Sequence, residues 1–118
     1  MEYIDGFVVA VPNHNKRKYI QHAREAAAIF KEYGALRLVE CWGDEVPDGE
    51  MTSFPMAVKC QPDETVVFSW ISWPSKAVHD VGMAKFMKDP RITGMMMEDM
   101  PFDGKRMIYG GFQMVVDE

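Results

Sequence analysis

The chain has 118 residues, enough for one domain over residues 1–118 that buries roughly two-thirds of its unfolded surface without help from disulfides or a structural metal. Hydrophobic residues at 47% and charged ones at 26% are the balance of an ordinary globular protein. The formal charge of −5 argues against a nucleic-acid partner, because phosphate binding needs clustered Lys and Arg; the one dense basic run, Lys16-Arg17-Lys18, is followed by Glu25 and Glu32 and reads as a solvated face.

Taken in order, Tyr3 to Val11 alternates as a strand ended by Pro12-Asn13, with Tyr3, Asp5, Phe7 and Val9 on one face and Ile4, Gly6, Val8 and Ala10 on the other. Asn13 or Asn15 offers a cap for a helix from Lys16 to Tyr33, whose stripe is Tyr19, Ala23, Ala26, Phe30 and Tyr33. Gly34 stops it, since glycine takes the left-handed conformation without steric cost. Ala35 to Trp42 is the next strand, placing Leu36, Leu38, Glu40 and Trp42 opposite Arg37, Val39 and Cys41. An excursion rich in turn formers follows from Gly43. Over residues 52–60 two readings stand: a short strand through Phe54, Met56, Val58 and Cys60, or a helical turn capped by Thr52 with Pro55 early in it.

Thr65 to Trp73 is rich in β-branched and aromatic residues and apolar on both faces, so it belongs at the centre of a sheet. Pro74 opens a helix from Ser75 to Lys88 with Ala77, Val81, Ala84 and Met87 predicted inward. Gly82 within it costs about 1 kcal/mol relative to Ala and points to close approach of another backbone. Asp89-Pro90 breaks this helix, a short one spans Arg91 to Met97, and the last strand runs Lys105 to Val116. Gly110-Gly111 within that strand marks a bulge or a close approach.

The order βαββαβ is the split βαβ, a ferredoxin-like α+β arrangement: an antiparallel sheet with the first and third strands central and two helices on one face. The other face stays bare and greasy. A second subunit is expected to cover it sheet on sheet in a symmetric homodimer, the barrel-like space between the sheets forming a pocket. The blocks Y-I-D-G-F-V-V-A-V-P (Tyr3 to Pro12), V-E-C-W-G-D-E-V-P-D-G (Val39 to Gly49), V-V-F-S-W-I-S-W-P-S-K (Val66 to Lys76) and M-P-F-D-G-K-R-M-I-Y-G-G-F (Met100 to Phe112) resemble the YbaA-like bacterial family, domain of unknown function 1428. That resemblance implies a dimeric α/β barrel, a superfamily that also holds cofactor-free monooxygenases, muconolactone isomerases and haem-degrading enzymes. It implies no particular reaction.

Asp5, Glu40 and Ser69 are polar residues within apolar strands and are the candidate catalytic groups, since a buried carboxylate must be paired or raised in pKa. Tyr3, Trp42, Trp70, Tyr109 and Arg106 are candidate substrate-binding groups, while Arg37 and Arg106 are equally candidate ion-pair partners for the carboxylates. His14 and His22 read as solvent-exposed, and His79 beside Asp80 carries only a minor claim to the site. No histidine pair has helical metal-ligand spacing, and no nucleophile elbow, phosphate loop or dinucleotide fingerprint occurs, so neither metal nor cofactor is expected. Cys41 and Cys60 read as two reduced, buried thiols, and the eleven Met residues as filling for a core or interface. With no signal-peptide pattern and no apolar run of bilayer length, a cytoplasmic location away from membranes is expected. Three functions fit: a cofactor-independent oxygenase or isomerase of a small molecule, a non-catalytic small-molecule-binding or stress-related accessory protein, or a scaffold using residues 43–60 as an interface arm.

Overall fold

The computed structural model describes residues 1–97 and 100–118. Its elements are β1 (Tyr3–Pro12), α1 (Lys16–Glu32), β2 (Arg37–Trp42), α2 (Phe54–Ala57), β3 (Glu64–Trp73), α3 (Lys76–Lys88), α4 (Pro90–Met97) and β4 (Ile108–Gln113). The strands form one antiparallel sheet in the order β2-β3-β1-β4. This is the ferredoxin-like arrangement expected from the order of elements, with the two most apolar strands at its centre.

Register decides which residues face the helices. Pairing of Asp5 with Ile71 and of Ser69 with Glu40 puts Asp5, Phe7, Val9, Ser69, Ile71, Trp73 and Glu40 on the helix side. There Ile29, Phe30, Ala35, Ile71, Trp73, Phe86 and Ile92 form the larger buried cluster, with Phe30 and Phe86 stacked at 3.7 Å between ring centroids. Val9, Val11, Tyr19 and Val67 form a second cluster toward the other end.

Several local expectations give way to packing. Neither asparagine caps α1: Asn15 donates to the Pro101 carbonyl at 3.1 Å, and Asn13 accepts from the Thr65 hydroxyl. The helix ends at Glu32, and Ile29 rather than Tyr33 completes its buried face. Residues 54–57 form a helical turn, not a strand, and Ser53 caps it in place of Thr52, accepting from the Met56 amide at 3.1 Å. The last strand is shorter than expected because residues 104–106 form a 3-10 turn before it.

The phase of α3 also differs. Val78, Gly82, Met83 and Phe86 turn inward, while Ala77, Val81, Ala84 and Met87 are exposed. Gly82 causes this, because a Cβ there would lie 2.4 Å from the Tyr33 carbonyl oxygen and 2.5 Å from Trp73 Cζ3. Gly34, at φ +110°, stops the chain after α1 as its sequence position suggests, and a Cβ there would meet Val78 at 2.8 Å. The Gly110-Gly111 pair is the close-approach case rather than a bulge: pairing with Gly6 and Asp5 is unbroken, and the Tyr3 hydroxyl would lie 2.2 Å from a Cβ on Gly111.

On the sheet's other face, residues 43–60 fold back over one end. Val58 is fully buried there against Val8, Ala10 and Val66. Phe68, Ile108 and Phe112 beyond it stay exposed, so only part of this face is bare. Cys41 lies on this uncovered side and is exposed, and Cys60 is half-buried, so the two free thiols are not core residues. Arg106 clasps the base of the excursion, giving two 2.8 Å hydrogen bonds to Glu64 and one of 2.8 Å to the Lys59 carbonyl. Its guanidinium holds the Glu64 carboxyl below the usual carboxylate range.

Gly82→Ala tests the constraint on α3. Overpacking of a tight site costs about 1–3 kcal/mol, against a helix-propensity gain of about 1. With backbone oxygen as the obstacle the upper end of that cost applies, so a net loss of up to about 2 kcal/mol is expected, read as a lower urea midpoint at unchanged m-value.

Candidate functional site

A cavity of about 670 Å³ lies between the sheet and helices α1, α3 and α4. Phe30, Met83, Phe86, Ile92 and Met95 are among its walls, and Tyr3, Asp5, His22, His79 and Tyr109 supply its polar groups. This cavity lies on the helix-covered face, opposite the one on which a pocket between two sheets is expected. Met-rich walls adapt to irregular guests, because the unbranched thioether has several low-energy conformations.

At one end, the loop from β3 into α3 fixes a hydrogen-bonded chain. Ser75 caps α3 by accepting from the Val78 amide at 3.2 Å, which brings His79 in the first turn over the start of β1. The Trp73 indole N–H donates to Asp5 Oδ2 at 2.9 Å, and His79 Nε2 lies 2.9 Å from Asp5 Oδ1. His79 Nδ1 lies 2.8 Å from Asp80 Oδ1, and Lys76 Nζ donates to Asp80 Oδ2 at 2.9 Å. Each nitrogen of the imidazole thus faces a carboxylate oxygen. Tyr3 packs against His79 with tilted rings at 4.7 Å between centroids, and Trp73 meets it edge-on at 5.4 Å. With both nitrogens engaged by carboxylates, the ring presents no free edge. Among the described residues no cluster of three His, Cys, Asp or Glu could hold a metal ion.

A smaller compartment of about 170 Å³ adjoins, sharing Phe7, His22, Ala26, Phe30, Phe86 and Met107 with the larger. Glu40, Ser69 and Tyr19 line it, and the Tyr19 hydroxyl donates to Glu40 Oε1 at 2.7 Å. Burial pushes the Glu40 carboxyl above its ordinary value, and the hydrogen bonds from Tyr19 and Ser69 oppose that push without cancelling it. His22 stands where the two compartments meet. Burial lowers its imidazole below the usual histidine value against the pull of Glu25, so the ring is neutral at neutral pH. Its ring meets Phe102 edge-on at 6.3 Å, and among the described residues it makes no hydrogen bond.

The residues singled out from sequence therefore divide. Tyr3, Asp5 and Tyr109 reach the large cavity and Glu40 and Ser69 the small one. Trp70 lies on the far face, in a groove of about 590 Å³ with Ile4, Val8, Phe68, Ile108 and Phe112. Trp42 is on the helix side but packs under Lys16, whose ammonium sits 4.9 Å from its ring centroid, and it lines neither cavity. Arg106 is taken up by Glu64 and Asp103, and Arg37 is exposed on the far face, so neither pairs with Asp5 or Glu40 as expected. The partners are instead Trp73, His79, Tyr19 and Ser69. His79 and His22 are the groups that sequence reasoning undervalued.

Over residues 2–104 the chain matches the family described as Protein of unknown function (DUF1428). It belongs to that family. The Uncharacterized protein YbaA of Escherichia coli (strain K12) is 58% identical over 118 residues, with both chains covered in full, and that of Shigella flexneri matches equally. Among solved structures, a dimeric ferredoxin-like protein from an uncultured marine organism superposes with a TM-score of 0.54 at 12% identity, covering 100% of this chain and 99% of its own. At that identity the likeness speaks to the fold alone. The DUF1428 chain has no helix, among the described residues, long and apolar enough to cross a membrane.

The raised carboxyl of Glu40 gives a signed expectation. Folding disfavours its ionised form, so stability falls as pH rises from the ordinary glutamate value toward the higher folded one, and the penalty persists above. Glu40→Gln should melt a few degrees above the parent at about pH 7 and together with it at about pH 4, as read by thermal melts at both.

Proposed function

We propose that this family member is a single-domain, cytoplasmic, homodimeric protein whose helix-side cavity binds a small apolar molecule and acts on it without a cofactor, as an isomerase or oxygenase. The observation that carries this is His22: a neutral, half-buried imidazole without a hydrogen-bond partner among the described residues, at the meeting point of two apolar compartments. Such a group can take a proton from a phenol or an enolisable carbon. An isomerase returns that proton at another carbon, whereas an oxygenase passes the resulting anion's electrons to dioxygen. The Tyr3 hydroxyl at the far wall is also without a hydrogen bond among the described residues.

The second reading, a non-catalytic small-molecule binder, is favoured by the pairing of the two carboxylates. Asp5 is held by Trp73 and His79 and Glu40 by Tyr19, so neither stands free as a base. Support for the dimer comes from the exposed Phe68, Ile108 and Phe112 around Trp70, and from the superposed marine protein being named dimeric.

A thermal-shift screen over phenols, quinones, aromatic acids and haem tests the cavity, because a ligand specific to the folded state must raise the melting temperature. A hit is expected, and its recovery with altered mass or bonding identifies the enzyme, while recovery unchanged identifies the binder. Silence across the whole panel overturns both. For assembly, sedimentation should show a dimer in the parent chain and a folded monomer for Phe68→Glu; a parent that sediments as a monomer overturns the dimer.

A further inference from the structure

We infer that the ligand of the helix-side cavity is a neutral or cationic apolar compound bearing a hydrogen-bond donor, and that carboxylates and other anions are excluded from it. This rests on the cavity being a binding site, and it adds the class of molecule that fits. Among the described residues, no lysine or arginine lines either compartment. The titratable side chains that do are Tyr3 and Asp5 from β1, Tyr19 and His22 from α1, Glu40 from β2, His79 from α3 and Tyr109 from β4.

Their charges do not favour an anion. Both nitrogens of His79 are taken by Asp5 and Asp80, so the ring has no free edge to offer an anion. His22 is kept neutral by burial. Nearby cations are committed elsewhere: Lys76 to Asp80, Arg91 to Asp89 and Glu32, and Arg106 to Glu64, while Lys18, close enough to act on the His22 ring, is engaged as well. An anion entering here would lose its water and meet Asp5 and Glu40 with no unmatched cation to receive it, in surroundings where like charges repel more strongly than in water. A donor meets the opposite reception. Both carboxylates and one nitrogen of His22 accept hydrogen bonds, and the aromatic rings of Tyr3, Phe30 and Phe86 among the walls suit a cation better than an anion.

Three naphthalenes of one shape test this: naphthol as the neutral donor, naphthylmethylammonium as the cation and naphthoate as the anion. Isothermal titration should find the first two binding the intact protein at least about tenfold tighter than naphthoate. Glu40→Gln should shrink the preference for the cation over naphthoate several-fold, and an unchanged ratio would remove Glu40 from the account. Ala26→Phe, which fills the wall shared by both compartments, should abolish binding, whereas Phe68→Glu on the far face should leave it intact. If Ala26→Phe does not fold, Met87→Trp at the exposed rim serves the same purpose. Naphthoate binding as tightly as the others overturns the inference and leaves the cavity standing. Failure of all three to bind overturns the cavity reading together with it.

Discussion

The whole helix-side architecture hangs on the missing side chain at Gly82. Because α3 touches the Tyr33 carbonyl and the Trp73 indole there, only one rotation of the helix about its axis is sterically open. That rotation presents His79, Met83 and Phe86 to the cavity and leaves Ala77 and Val81 in water. The same contact buries Trp73 completely and fixes its N–H against Asp5. One hydrogen atom in place of a methyl thus sets the helix phase, the indole position and the carboxylate that the indole orients.

The two buried carboxylates show how different surroundings assign different roles to one chemistry. Asp5 sits among donors, the indole N–H and an imidazole, and both of its oxygens are engaged. Glu40 has hydroxyl partners only, and for it the loss of water outweighs what those partners return. Asp5 is therefore a fixed element of the wall, while Glu40 is the group whose surroundings favour the protonated form. Elsewhere the protein neutralises its acids with arginine, as Arg91 does for Asp89, whose carboxyl it holds far below the ordinary range with help from Tyr33. The cavity walls lack that device.

Much of this was legible in the sequence because it depended on period-two alternation and strong punctuation. The two central strands, the stop at Gly34 and the arrangement of two helices on one face follow from patterns that tertiary contacts reinforce. The phase of α3 was not legible from hydrophobicity, since Ala77, Val78, Val81, Met83, Ala84, Phe86 and Met87 encircle the helix. Yet Gly82 held the answer: if it marks close approach, the residues three and four before it and four after it must share the inward face. His79 would then have stood beside Asp5 from the outset. The partner of a buried acid was sought among arginines, where the chain uses indole, imidazole and hydroxyl instead, and such contacts depend on register across strands far apart in sequence. His22 was read as solvent-exposed, although the spacing of Tyr19, Ala23 and Ala26 already bracketed it.

The fold-back of residues 43–60 has a geometric consequence for any second sheet laid against the open face. Val58 and its neighbours occupy the end nearest Ala10 and Val66, so only the end bearing Phe112 and Trp70 remains flat enough to stack. A two-fold axis through such a stack cannot pass through the middle of the sheet. In any such pair the axis would be displaced along the strands, and the two molecules would be staggered rather than eclipsed.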